Sequence, residues 1–172
     1  MTMRYALLSA TAATALGAGV MAFGAGDAGI GVVFMPEYKG ALGVYSNRER
    51  ELRYEEEVFA TETVKTGPGG GTALQFLDET RLQVGANSTV VLDEFVFDPN
   101  AGFQMATLNF GVGAFRIISN RSGADNRFQL RTPTAVLAIR GTKFILEVGQ
   151  DGGTIGGILE GAVMAPPCGE PN

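Results

Sequence analysis

The chain has 172 residues, 13 Lys+Arg against 18 Asp+Glu for a formal net charge of −5, 45% apolar residues, 25 glycines, one cysteine, and neither tryptophan nor histidine. That length suits about one domain, and the missing histidine removes Ser-His-Asp and Cys-His nucleophile pairs, His-ligated zinc and the commonest general base near neutral pH. No basic field exists to hold phosphate backbones, so nucleic acid is not expected as a partner.

Residues 1–24 read as an export leader: Arg4 supplies a basic start, Tyr5 to Phe23 an uncharged apolar run, and Ala22-Phe23-Gly24 a small-x-small exit site. A run of about 19 uncharged residues is also just long enough to span a bilayer as an uncleaved anchor. Its many Ala, Gly, Ser and Thr residues insert less favourably than Leu or Ile. The expected location is the periplasm or outside the cell, with membrane contact only through an uncleaved leader. Gly24-Ala25-Gly26-Asp27-Ala28-Gly29 matches the dinucleotide fingerprint in letters only. That fingerprint needs a strand before it and a helix after it, whereas here a leader precedes and an extended segment over 25–39 follows.

From residue 40 to 165 the hydrophobic period is two, which predicts one all-β domain. Ser46–Glu57 mixes Arg48, Arg50 and Arg53 with five glutamates and suits an exposed helix by propensity. Leu42, Val44, Leu52, Tyr54 and Val58 fit a charged hairpin, and we favour that. Thr72–Leu77 and Arg81–Val84 alternate, with Leu74, Phe76, Leu82 and Val84 on one face and Asp78-Glu79-Thr80 as the turn. Further short runs fall at Thr89–Phe97, Met105–Phe110, Gly113–Ile118, Arg127–Arg131, Ala135–Ile139, Thr142–Val148 and Thr154–Leu159. Gly-rich clusters punctuate them, which argues for strands stacked as a solenoid-like or sandwich-like body. Residues 166–172 are expected to form a disordered tail holding Cys168, which has no second thiol for an internal disulfide or metal site and is expected to be free or paired between chains.

Four phrases in register resemble the FecR domain family, named after a ferric-citrate signalling regulator. They are Val64-Lys65-Thr66-Gly67, Ala73-Leu74-Gln75-Phe76-Leu77-Asp78, Leu82 through Ser88, and Thr132-Pro133-Thr134-Ala135 leading into Ile139-Arg140-Gly141-Thr142-Lys143-Phe144. Val91 to Pro99 is similar to a variant of stand-alone FecR proteins of Gram-negative bacteria. The resemblance spans roughly residues 40–163 and implies an exported, non-catalytic β domain that senses or contacts an envelope protein. About 40 residues before the domain cannot hold both an anti-sigma segment and a membrane helix. The family usually continues Asp78 with Gly-Ser, so Glu79-Thr80 must turn the chain without glycine.

Arg140-Gly141-Thr142 puts a guanidinium on a bend, where it can clamp a neighbouring strand through a carboxylate. Asp78 is the candidate acceptor. Asp93, Glu94 and Asp98 are possible contact residues. Alternation sends Asp93 and Glu94 to opposite faces, so they suit a solvated sheet better than paired acid–base catalysis. Asp98-Pro99-Asn100-Ala101-Gly102 is too poor in ligands for a calcium loop. No catalytic residue, cofactor or metal is expected. Alternation places most of Phe95, Phe97, Phe103, Phe110, Phe115, Phe128 and Phe144 in the core. The alternative reading is an envelope structural or carbohydrate-associated protein with weak carboxylate-based hydrolysis.

Overall fold

The computed structural model describes residues 28–98, 102–119 and 127–164, with backbone alone at 97–98, 102–104 and 127. The leader, the 166–172 tail with Cys168, and the Phe97, Asp98 and Phe103 side chains lie outside the described residues. Among those described there are strands and no helix. In chain order these are β1 (Gly31–Val33), β2 (Ala41–Tyr45), β3 (Arg48–Glu51), β4 (Glu57–Val58), β5 (Glu62–Thr66), β6 (Thr72–Phe76) and β7 (Arg81–Val84). The rest are β8 (Thr89–Asp98), β9 (Gly102–Phe110), β10 (Gly113–Ile118), β11 (Arg127–Arg131), β12 (Val136–Val148) and β13 (Thr154–Met164).

All belong to one sheet of order β3-β2-β5-β8-β9-β11-β12-β10-β7-β6-β1-β4, with β13 on β12. Among the described strands only the β9–β11 pair is parallel. The sheet takes its shape from β12. One edge of β12 carries β13 throughout, from Ala138↔Met164 to Val148↔Thr154. Its other edge takes β11 first, at Ile139↔Phe128, and then β10, at Phe144↔Ile117. The sheet therefore forks at Gly141, and its two arms curl over a shared core as a half-barrel. The all-β expectation holds in this form, with one continuous curled sheet in place of stacked rungs.

The core is what period-two alternation requires. Val64, Val90, Leu92, Leu108 and Phe110 point inward from one arm, and Leu74, Phe76, Leu82, Val84 and Ile117 from the other, all buried. Phe76 spans the two arms, with ring centroids 5.7 Å from Phe95 and 6.3 Å from Phe128. Truncating any of these leucines to alanine removes about 2–5 kcal/mol. Phe110, Phe115, Phe128 and Phe144 are buried as expected, and Phe95 packs half-buried against them.

Two sequence expectations need adjustment. Ala135–Ile139 and Thr142–Val148 form a single strand, because Gly141 at φ 58° absorbs an extra residue as a bulge. A second bulge at Leu159 of β13 restores the register. The favoured hairpin forms between β2 and β3, its Ser46-Asn47 turn at φ 49° and 60° matching the twist of antiparallel strands, while residues 52–57 leave it for β4. Its inward face, however, carries Ala41 and Gly43, while Leu42 and Tyr54 are exposed. Space explains the inversion: a Cβ on Gly43 would lie 2.0 Å from Glu62 Oε1 and 3.0 Å from Leu52 Cδ2.

Candidate functional site

The two ends of the strand path meet at the charged segment. β3 ends one arm and β4 the other, and only residues 52–56 join them. Backbone bonds lock this crossing: Leu52 N–H donates to Ala41 O at 2.9 Å, and Val33 N–H to Glu56 O at 2.9 Å. Arg50 reaches across it. Its guanidinium donates to Glu56 Oε2 at 3.0 Å, to the Glu57 carbonyl, and to Glu62 Oε1 and Oε2 at 3.0 and 3.1 Å. Glu62 is fully buried and also accepts Phe59 N–H at 2.9 Å. Burial pushes its pKa up, against the pull of the Phe59 amide and of Arg50. Phe59 lies under the guanidinium at 5.5 Å and stacks on Tyr45 at 5.0 Å. This is a structural seam. The sequence reading missed its central ion pair, although an arginine in a short strand followed by an acid at a buried alternation position is the signal for one.

The family phrases build two further ties. Thr66 Oγ donates to Gly85 O at 2.6 Å and accepts Ser88 N–H at 3.0 Å; Ser88 Oγ accepts Ala114 N–H at 3.1 Å. β5, the 85–88 turn and β10 are thereby knotted, and Gly113 is required beside it, since a Cβ there would lie 2.1 Å from Ser88 Oγ. At the fork, Thr142 Oγ donates to Ala162 O at 2.7 Å, and Thr142 N–H donates to Ser119 Oγ at 2.9 Å.

Asp78 sits in the β6–β7 turn, where its carboxylate accepts Thr80 N–H at 3.1 Å and Thr80 Oγ–H at 2.6 Å. Glu79 takes φ 66°, so the turn is made without glycine, as the Asp78-Glu79-Thr80 sequence requires. Burial raises the Asp78 pKa, and the two Thr80 bonds oppose that rise. Arg140 is exposed on β12 and register-paired with Ala162. Arg81 and Lys143 both pair with Ile118, so Asp78 and Arg140, each three residues earlier, leave from either side of the same strand end. Asp93 occupies a β8 irregularity and lies 3.9 Å from Arg131, both partly exposed, while Glu94 is exposed. A solvated pair of that kind contributes little. Asp98 ends β8 opposite Gly102. Among the described residues, no group of three or more acidic, His or Cys side chains is placed to hold a metal.

The candidate contact edge is β13. Strand edges expose unpaired N–H and C=O groups and are normally short, charged or covered. β3 has four residues, each charged, and β4 has two. β13 has eleven residues and one charge, Glu160, which pairs with Lys143 on β12. Among the described residues no strand covers its outer edge. Ile155 and Met164 are each 72% exposed, and Ile158, Leu159 and the neighbouring Val136 and Ile145 of β12 are exposed too. Gly156 and Gly161 let β13 lie tight on β12, with the Phe144 ring 2.5 Å and Gly141 O 2.5 Å from where their Cβ atoms would be.

Residues 62–164, more than half the chain, match the model of the family described as FecR protein. The chain belongs to the FecR family, whose domains are associated with cell-surface signalling regulators and are generally regulatory rather than catalytic. The matched region runs from the buried Glu62 to the last residue of β13. Neither curated proteins nor solved structures give a match.

Proposed function

We propose that this protein is an exported, non-catalytic contact module of the cell envelope, and that it engages a protein partner by strand addition on β13. The observation that carries the reading is the contrast among edges: two are short or fully charged, and the third is long, apolar and uncovered among the described residues. Strand addition takes its affinity from the ladder of backbone hydrogen bonds and its specificity from alternate side chains. Both are on offer at Thr154–Met164. Residues 1–24 serve as the export leader in this reading, which places the domain in the periplasm or beyond. Arg140 and Asp78 act as a clamp that steadies the fork from which β13 hangs, as their shared register supports.

Photo-crosslinkers placed at 155 and 158 in the exported full chain test the reading, with one at 49 on β3 as the comparison. Crosslinks to envelope proteins are expected from β13 and not from β3. None from β13, or an equal yield from β3, would overturn it. Intact mass of the exported chain reports removal of the leader.

A further inference from the structure

Gly157 is the floor of an open slot on the outward face of β13, and we infer that this slot takes a lysine or arginine of the partner strand, its charged head on Glu160. The inference rests on the strand-addition reading above and names the chemistry of the strand that is added. Three observations carry it.

The first is register. Gly157 pairs with Ile145 and Glu160 with Lys143, both exposed on β12, whereas Gly156 and Ile158 pair with the buried Leu146 and Phe144. Gly157 and Glu160 therefore share the outward face, and the bulge at Leu159 makes them neighbours on it. A strand added to the edge continues the same rows, so its residue opposite Gly157 also stands on the outward face.

The second is space. The three glycines of β13 serve different ends. A Cβ on Gly156 would lie 2.5 Å from the Phe144 ring, and Gly161 holds φ 93° with Gly141 O 2.5 Å from where its Cβ would be. Gly157 has neither constraint: its φ is not positive, and a Cβ there would meet nothing within 4 Å. Glycine weakens a strand interior, and one without an internal cause is characteristic of a place where another chain comes close. Exposed Ile145 and Ile155 wall the opening, a fit for the methylene stem of a long cationic side chain.

The third is charge. Glu160 is the one ionisable residue of β13, and its side chain stays 57% exposed although Lys143 pairs with it from the β12 side. The row through it runs Arg81–Ile118–Lys143–Glu160 across four strands, so the next place outward lies beside the carboxylate. An acid there would oppose Glu160, whereas a cation reaching diagonally from opposite Gly157 pairs with it. Exposed Glu147, register-paired with Ile155, adds a second carboxylate at the other end of the slot, and Arg116 lies a strand further off, beyond Ile145. The net charge of −5 favours the same sign of guest.

The test uses the exported full chain with a photo-crosslinker at 158, on the core-side face and outside the slot, mixed with envelope extract. The crosslinked partner segment is expected to carry a lysine or arginine within about three residues of the crosslink. Gly157→Val fills the slot, and the double variant Lys143→Glu, Glu160→Lys keeps the internal ion pair while reversing the charge shown to the guest. Each is expected to lower the crosslink yield about tenfold or more without lowering the melting temperature. Full yield in either variant, a segment without a nearby cation, or a segment from a second copy of this chain overturns the inference; in those cases strand addition still stands. No crosslink from the parent chain overturns both.

Discussion

β3 and β13 are both edge strands of one sheet, and they are built on opposite principles. β3 is four residues long, wholly charged, and sends Arg50 inward to a buried carboxylate, so it offers a neighbour a short ladder flanked by charge. β13 is nearly three times as long, carries one charge, and presents isoleucine, leucine and methionine to solvent. A sheet that protects one edge so thoroughly has the means to protect another. The contrast sets an edge whose side chains hold the fold together against an edge that the proposed contact would use.

The comparison breaks most readily at the seam. Arg50→Met leaves Glu62 buried and unpaired, and because the guanidinium is itself about 30% exposed, a loss at or just below the low end of the usual range, about 2–3 kcal/mol at neutral pH, is expected from denaturant titration. The loss depends on pH. Burial raises the folded-state pKa of Glu62 above its unfolded value, so the native state binds this proton more readily than the unfolded one. The associated stability is present below the ordinary carboxylate range and fades as pH rises through the folded pKa. Without Arg50 that pKa climbs further, so the deficit of Arg50→Met widens as pH rises above the ordinary carboxylate range. A deficit independent of pH would mean that the guanidinium acts by packing alone.

The motif ties come next. Thr66→Val removes the hydroxyl shared by Gly85 and Ser88 and costs about 1–3 kcal/mol, and Thr142→Val costs a similar amount at the fork. A double-mutant cycle between Asp78→Ala and Arg140→Ala gives a coupling of about 0.5–3 kcal/mol if the two form a clamp, and none if each acts alone. Smaller still, and of opposite sign, Thr61→Gly raises stability by about 1 kcal/mol, because a β-branched residue there holds φ 65°. Ile155→Lys and Ile158→Lys stay within about 0.5 kcal/mol of the parent, since an exposed edge owes little to the fold. A large destabilisation by either would move β13 from the functional side of the comparison to the structural side.

Much of this was legible in the residues. The runs at Arg81–Val84, Gly113–Ile118 and Arg127–Arg131 are strands with those bounds, and the family phrases pointed to the right architecture class. Their hydroxyls, at Thr66, Ser88 and Thr142, proved to be the ties between strands. What alternation could not show is which residues give way to a partner distant in sequence. Ala41 and Gly43 face inward, against their hydrophobic neighbours, because Leu52 and Glu62 arrive from elsewhere. Gly141 looked like a terminator, yet a residue at positive φ can equally carry a bulge through a continuing strand. The apolar run of β13 was visible as a strand; that its outer edge stays uncovered depends on sheet order, which no local pattern encodes.

Amide hydrogen exchange on the full chain tests the central contrast most directly. The outer-edge amides of Thr154–Met164 are expected to exchange rapidly in the chain alone and to gain protection when envelope extract is added, while those of Arg48–Glu51 stay the same. Protection gained at Arg48–Glu51 and not at Thr154–Met164, or a β13 already fully protected in the chain alone, would contradict the account.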